Sequence, residues 1–266
     1  MSARVTLVLS VFNQLALTRA CMESLRASTE PFRLVVIDNG STDGTREFFE
    51  RFAYPFPLRY DHYGVNTSVI ASLNRAWRQA ETEFICLMHN DTLMVTPDWL
   101  ARLLAPFADP GVGMTGLFGV KRVRRTGNFV GRTIVHSLAE GPTVRPPWEE
   151  VSVVDGVCMC LRRDVMEAVG GLDEAYGFFH GFDKDLSFAV RETGRRCLVV
   201  HAPFHHRGGG TRARDFAARP ERERTDLVLR RAVIERFVRK WGHRLPADVR
   251  PVRARVRDWV GAKLLR

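Results

Sequence analysis

Apolar residues in the first half of the chain fall into two alternating patterns. The short runs Val5–Val11, Phe32–Ile37 and Phe84–Met88 are mostly apolar, as expected of strands that are buried on both faces of a sheet. Between them, Leu15–Ser28 and Val65–Gln79 carry apolar residues three and four positions apart, which is typical of helices. Strands that alternate with helices predict an α/β fold, in which a doubly wound, mostly parallel sheet is flanked by helices.

The pattern changes in the second half of the chain. Residues 112–160 hold shorter apolar runs separated by Gly, Pro and Arg, which predicts β-ribbons and loops. In Arg222–Trp241 and Asp248–Leu265, apolar residues recur at three and four among many arginines, so two basic amphipathic helices are expected. The predicted organisation is a domain of residues 1–211, with halves at 1–111 and 112–211, followed by a helical tail of residues 212–266.

The positive charge belongs to the tail. Residues 1–211 contain equal numbers of basic and acidic residues, so residues 212–266 supply the whole net charge of +10. The five cysteines, an odd number set in apolar runs, are expected to be buried, reduced thiols. No apolar stretch approaches the roughly 20 residues that cross a bilayer, and the start of the chain lacks the features of a signal peptide. These observations predict a cytoplasmic protein, peripheral to the inner face of the membrane if the tail binds there.

Polar groups follow the buried strands directly. The run Phe84–Met88 stops at His89-Asn90-Asp91, and the second strand ends at Asp38. In α/β proteins, ligands bind at the carboxyl ends of the strands, and a hard cation there takes oxygen ligands such as Asp91 together with substrate phosphates. The structural alternative is a strand cap followed by a turn, which is how residues 39–43 are interpreted.

An acidic segment follows aromatic residues later in the chain. Phe178 and Phe179 precede Asp183 and Asp185, which open a predicted helix. These carboxylates can be simple helix caps. They can also present a general base beneath an apolar lid, where burial raises the pKa of a carboxylate into a useful range.

The order of these segments resembles that of the inverting glycosyltransferases of the GT-A fold, family 2, over roughly residues 4–211. Each match alone is weak, but all of them occur in order and at sensible separations. The matching segments are Val8–Asn13, Asp38–Gly44, Gly64, Asn74, His89–Asp91, Gly156–Arg163, Val169–Glu174, Phe182–Leu186 and His205–Gly209.

The resemblance implies transfer of a sugar from a nucleoside diphosphate, with UDP or dTDP expected, to a glycan or lipid-linked acceptor. Asp91 and His206 would hold a divalent cation, with His205 as the alternative because the two histidines are adjacent. Mn²⁺ is favoured over Mg²⁺ because it accepts imidazole more readily. Asp183 would be the general base. The implied nucleotide-binding residues are Ser10, Phe12, Asn13, Asp38, Gly64, Asn74 and Asn90.

Two departures from the family pattern support a second hypothesis. His89 stands where the family has Asp or Asn, and Phe182 stands where it has Glu. Both suit a nucleotide-binding, non-catalytic partner subunit of a glycan-synthesis complex. A sugar-1-phosphate nucleotidyltransferase is the third hypothesis, and it is disfavoured because the Gly-rich, Arg-containing opening of such enzymes is missing after the first strand.

The tail lies outside the close resemblance. Arginine-rich amphipathic helices with Trp241 and Trp259 suit an anionic membrane surface, which is the favoured interpretation. The alternative is packing on the domain or on another subunit, as in a homodimer. No nucleic-acid partner is predicted, because the basic residues lie on helices without a recognised binding module.

Overall fold

The computed structural model of the chain describes residues 3–207 and 220–256. The predicted turn at Gly208–Gly210 and the predicted helical residues beyond 256 lie outside these ranges. Within them, no helix is long and apolar enough to cross a membrane. All five cysteines are buried free thiols, as predicted.

A mostly parallel sheet of eight strands forms the centre of the fold, as the sequence predicts. The strand order is β10-β13-β6-β12-β4-β1-β2-β3, and only β12 and β10 run against the others. The strands are β1 (Val5–Val11), β2 (Phe32–Asp38), β3 (Leu58–His62), β4 (Phe84–His89), β6 (Val112–Gly116), β10 (Trp148–Val151), β12 (Cys158–Arg162) and β13 (Arg196–Val200).

Short strands form three smaller sheets around this centre. β5 (Thr92–Met94) pairs with β14 (Phe204–His206). In the second sheet, β7 (Phe118–Val120) is the central strand and pairs with β9 (Ile134–His136) and β11 (Val153–Val154). In the third, β8 (Arg122–Val123) pairs with β15 (Ala247–Asp248).

Helices cover both faces of the central sheet. They are α1 (Leu15–Leu25), α2 (Thr45–Arg51), α3 (Val69–Trp77), α4 (Trp99–Leu104), α5 (Arg163–Ala168), α6 (Phe182–Glu192) and α7 (Pro220–Trp241). Single 3₁₀ turns occur at Ala105–Ala108, Gly131–Thr133, Glu174–Tyr176 and Gly242–Arg244.

Two apolar cores result, one on each face of the sheet. In β1, Leu7 and Leu9 pack on the face covered by α1 and α4, whereas Val8 packs on the face covered by α3 and α6. Successive side chains of a strand point to opposite faces, so a strand with two covered faces must be apolar throughout. This is why the strands could be recognised from sequence.

Some predicted helix boundaries are wrong for local reasons. α3 begins at Val69 and not at Val65, because the hydroxyl of Ser68 accepts a hydrogen bond from the backbone of Ala71 and caps the helix there. α6 begins at Phe182, with Asp183 and Asp185 in its first turn, in agreement with the predicted opening of this helix.

The tail helix α7 packs on the domain with its C-terminal half. Phe237 is fully buried and Trp241 is 6% exposed, and both rings contact Phe188 of α6. In the N-terminal half, Leu227 and Val228 are 61% and 68% exposed. Asp226, in the N-terminal half, is buried too and contacts His180 at 2.6 Å. The predicted membrane contact is therefore left to the exposed face of α7 that bears Leu227 and Val228.

Candidate active site

Two strand ends bring Asp91 and His206 together. Asp91 lies in the tight connection between β4 and β5. β14 runs antiparallel to β5, with His206 opposite Thr92, and the backbone N–H of Arg207 donates to the carbonyl of Asp91 at 3.1 Å. The Nε2 atom of His206 therefore lies 3.2 Å from Oδ1 of Asp91.

His89 completes a cluster of three candidate metal ligands. Its Nδ1 lies 4.0 Å from Oδ1 of Asp91, and one donor atom from each of His89, Asp91 and His206 lies within 4.8 Å of the others. Sequence reasoning treated His89 only as a departure from a family pattern. The two-residue spacing from Asp91 at a strand end was the signal that could have predicted a shared side.

Burial and the charges of the neighbouring side chains shift the pKa values of Asp91 and His206 in opposite directions. Burial disfavours ionisation of Asp91, but the neighbouring His206 and His89 outweigh it and lower the pKa of the carboxyl. Burial also works against protonation of His206, yet Asp91 raises the pKa of this imidazole above its usual value. Burial lowers the pKa of His89, which favours the neutral imidazole that can bind a metal.

This cluster fits a divalent cation of borderline softness. Oδ1 of Asp91 is buried and makes no hydrogen bond of good geometry within the described part of the chain, although buried polar atoms are normally paired. One carboxylate and two imidazoles form a mixed oxygen and nitrogen donor set that divalent metal ions can accept. The neighbouring His205 does not join them, because its Nδ1 contacts Glu140 at 2.6 Å.

Asp183 lies in the first turn of α6, directly after the buried ring of Phe182. A Cβ atom at Gly156 would come within 2.8 Å of the Phe182 ring and within 3.4 Å of Nε2 of His89, so the metal-site histidine and the start of α6 approach each other across this glycine. Burial, followed by the nearby Asp155, raises the pKa of Asp183 to about 6. Such a carboxylate is suited to accept a proton near neutral pH.

Asp155 is a carboxylate of this cleft that sequence reasoning missed. It lies between β11 and β12, and its Oδ1 accepts a hydrogen bond from the backbone of Val157 at 3.0 Å. Burial raises its pKa too. The only signal in the sequence was the pair Asp155-Gly156 directly before the run that forms β12.

Asp185 has a structural position and does not contact Asp183. It is 3% exposed and accepts hydrogen bonds from the hydroxyl of Tyr176 at 3.0 Å and from Nε1 of Trp241 at 2.7 Å. Lys240 contacts its second oxygen at 2.9 Å. This carboxylate joins α6 to α7 and is not used as a helix cap.

The strand-end residue Asp38 organises the turn that follows β2. It is fully buried; one oxygen accepts from the backbone of Ser41 at 2.8 Å and the other from the hydroxyl of Tyr60 at 2.5 Å. Nδ1 of His62 lies 3.2 Å from the second oxygen. Direct contact of Asp38 with a nucleotide stays a prediction and requires this turn to open.

Other predicted nucleotide contacts lie at the same edge of the sheet. Asn13 has a left-handed backbone (φ 53), its amide oxygen accepts from the backbone of Thr42, and its own N–H donates to Ser41. Ser10 accepts from Asn39, and Phe12 and Asn90 are partly exposed, the latter donating to Thr18. Gly64 is exposed, and a Cβ there would meet no atom within 4 Å.

The predicted contact of Asn74 with the nucleotide is wrong. It was expected to flank the sugar nucleotide, but it is 1% exposed. Its amide nitrogen donates to Glu174 and to the carbonyl of Leu172, and its oxygen accepts from Trp77 and from the N–H of Leu172. All its hydrogen-bonding capacity is used, so Asn74 anchors the segment before α6 and has no capacity left for a ligand.

Comparison with known proteins identifies related sequences. Residues 6–170 match the family described as Glycosyl transferase family 2. The chain is 30% identical over 230 residues to the O-antigen biosynthesis protein RfbC of Myxococcus xanthus, covering 79% of this chain and 18% of that protein. It is 28% identical over 206 residues to the succinoglycan biosynthesis protein ExoA of Rhizobium meliloti, covering 73% of this chain and 60% of ExoA. The chain thus spans only part of the length of these relatives.

Solved structures share the fold. The mannosyltransferase PcManGT from Pyrobaculum calidifontis, in complex with GDP-Man and Mn²⁺, superposes with a TM-score of 0.59 at 24% identity, over 76% of this chain and 55% of that one. GalNAc-T7 with UDP, GalNAc and Mn²⁺ gives 0.63 at 12% identity, over 76% and 42% of the two chains. TarS of S. aureus with UDP-GlcNAc gives 0.58 at 17% identity, over 76% and 58%.

Proposed function

This chain belongs to glycosyl transferase family 2, and from that membership we propose that it is a metal-dependent, inverting glycosyltransferase. It would move a sugar from a nucleoside diphosphate to an acceptor hydroxyl. The observation that carries this proposal is the approach of the cluster His89, Asp91 and His206 to the start of α6, which bears Asp183. The cluster can bind the leaving diphosphate, and Asp183 can accept the proton of the incoming hydroxyl.

The diphosphate end of the cleft is assigned to the three-residue cluster. A divalent cation bound there would neutralise the charge that develops on the departing diphosphate. Asp91 and His206 would hold it, with His89 as a third donor. The two imidazoles favour Mn²⁺ over Mg²⁺, in line with the Mn²⁺ named in the PcManGT and GalNAc-T7 structures.

Asp183 is assigned the role of general base. Its carboxylate takes the proton of the acceptor hydroxyl as the hydroxyl oxygen forms a bond to the anomeric carbon, while the bond from that carbon to the diphosphate oxygen breaks. A single displacement from the far side inverts the configuration. The apolar Phe182, which replaces the acid that was expected here, helps to exclude water from Asp183 and so contributes to its raised pKa.

The nucleotide is assigned to the edge formed by the ends of β1 and β2, near Phe12, Asn13 and the turn held by Asp38. UDP or dTDP is the expected donor nucleotide. The relatives named for O-antigen and succinoglycan biosynthesis favour a glycan or lipid-linked acceptor in the synthesis of a surface polysaccharide.

The substitution Asp183→Asn tests the catalytic assignment. We expect transfer to fall by at least about a hundredfold, because general-base catalysis contributes 10²–10⁴-fold, while the donor nucleotide still binds. A thermal-shift screen of UDP-, dTDP- and GDP-sugars with Mn²⁺ identifies the donor, and release of nucleoside diphosphate measures turnover.

Asp164→Asn is the control, because Asp164 is 66% exposed on α5. Full activity of Asp183→Asn would refute the base assignment. Donor binding without any turnover by the wild-type protein, with acceptors tested broadly, would instead favour the non-catalytic partner subunit.

A further inference from the structure

Backbone hydrogen bonds fix the position of Asp155 near the candidate metal ligands. Its N–H donates to the carbonyl of Phe118 at 2.8 Å, and its Oδ1 accepts from Val157. The carbonyl of Val157 in turn accepts from the backbone N–H of His89 at 3.1 Å. Asp155 is thereby tied through Val157 to the strand end that bears the candidate metal ligands.

The next residue connects the two chemical sides of the cleft. Gly156 is close enough to both His89 and Phe182 that a Cβ atom would crowd the Phe182 ring at 2.8 Å. Phe182 immediately precedes Asp183. Asp155 therefore directly precedes the residue that lies between His89 and the start of α6, and its charge influences both Asp183 and His206.

The transferred sugar must lie between the candidate metal ligands and Asp183 if the proposed function holds. The anomeric carbon is bonded to the diphosphate at one end and must meet the hydroxyl held by Asp183 at the other. A carboxylate with one oxygen on a backbone N–H keeps further lone pairs for hydrogen bonds. The hydroxyl groups of a sugar bound there could donate hydrogen bonds to Asp155.

From this geometry we propose that Asp155 binds a hydroxyl group of the donor sugar and thereby contributes to selection of the sugar. The inference rests on the proposed function. It assigns Asp155 neither to the metal, since it lies outside the three-residue cluster, nor to proton transfer, which belongs to Asp183.

The test compares sugar nucleotides with their nucleotides. Binding of each sugar nucleotide that the thermal-shift screen identifies, and of the same nucleotide without its sugar, is measured by calorimetry with Mn²⁺ for the wild type, Asp155→Ala and Asp155→Asn. We expect Asp155→Ala to weaken the sugar nucleotide that the wild type binds by about tenfold or more, the scale of a hydrogen bond to a charged group, and to leave the plain nucleotide unchanged. Asp155→Asn, which keeps an acceptor oxygen, should lose less.

Asp109→Ala is the matched control. Its Oδ1 accepts from the backbone N–H two residues later, at 2.7 Å, as Asp155 does, but Asp109 lies before the N-terminal end of β6, away from the candidate ligands. A loss of affinity in Asp155→Ala that is equal for sugar nucleotide and nucleotide, or no loss at all, would overturn the role of Asp155 alone. A wild-type protein that binds none of the UDP-, dTDP- and GDP-sugars of the screen would overturn the proposed function, and this inference with it.

Discussion

Asp183 is a carboxylate in surroundings that oppose its charge. Its pKa is raised to about 6, so its contribution to stability is present below the pKa of the unfolded chain and is lost as pH rises through about 6. We expect Asp183→Asn, which stays neutral, to be more stable than the wild type at about pH 8, by up to roughly 3 kcal/mol in the free energy of unfolding. The variant should therefore unfold at a higher temperature at that pH. The difference should shrink towards about pH 4. Thermal denaturation at several pH values measures it, and a difference that grows in acid would contradict the assignment.

The adjacent histidines differ in what they contact, and the difference predicts which one binds metal. His206 faces Asp91, whereas His205 contacts Glu140. His206→Ala should lower the affinity for Mn²⁺ by at least about tenfold, since loss of an outer partner of a ligand already costs that much. His205→Ala should leave it within about twofold, because this side chain lies outside the cluster. Calorimetry with Mn²⁺ alone decides, and equal losses in both variants would count against the cluster.

The sequence could not show which of the two adjacent histidines, His205 or His206, faces Asp91. Adjacent residues of a strand point to opposite sides, so a tandem pair offers two equivalent choices. The choice is made by the pairing of β14 with β5, which sets His206 opposite Thr92, and such pairing depends on residues more than a hundred positions apart. The chemistry of the pair was predictable, and its direction was not.

At the scale of elements, the buried strands were the most predictable part. The bounds of β1 agree with the prediction at both ends, because continuous apolar runs identify strands with two covered faces. Asn74 shows the opposite case. A polar residue in a helix gives no sign that it points inward, and its partners Leu172 and Glu174 lie about a hundred residues away in the sequence.

The junction between α6 and α7 depends on Asp185. Asp185→Ala would leave the buried donors of Tyr176 and Trp241 without their acceptor, so we expect a loss of about 3 kcal/mol or more, at 1–3 kcal/mol for each unsatisfied group. Trp241→Phe removes one donor and leaves Asp185 its other partners, and we expect a loss of about 1–2 kcal/mol. Urea unfolding at constant m-value measures both.

The exposed Asp164→Ala on α5 serves as the control for this pair. A loss in Asp185→Ala no larger than in the control would mean that the junction does not stabilise the fold. Because α6 also carries Asp183 in its first turn, the same network makes the C-terminal segment part of the support for the base.

At the scale of the whole molecule, the candidate active site and the excess positive charge lie in different parts of the chain. The candidate site lies at one edge of a domain with balanced charge, while the basic excess lies in residues 212–266. α7 connects the two parts, since Phe237 and Trp241 are buried on the domain whereas Leu227 and Val228 are exposed. A surface bound by Leu227 and Val228 would therefore be held at a fixed orientation to the candidate active site.

The outward face of α7 predicts binding to anionic membranes. Leu227 and Val228 are 61% and 68% exposed beside the exposed Arg224 and Arg231, a combination that inserts at the surface of an anionic bilayer. We expect binding to vesicles of phosphatidylcholine and phosphatidylglycerol at low salt, release at high salt, because surface charges are screened, and little binding to phosphatidylcholine alone. Replacing both Leu227 and Val228 by Asp should abolish sedimentation with the vesicles without changing the melting temperature, because neither side chain is in the core. Val95→Asp, at a site 48% exposed and outside α7, should bind normally, and equal binding by the double variant would refute a membrane role for α7.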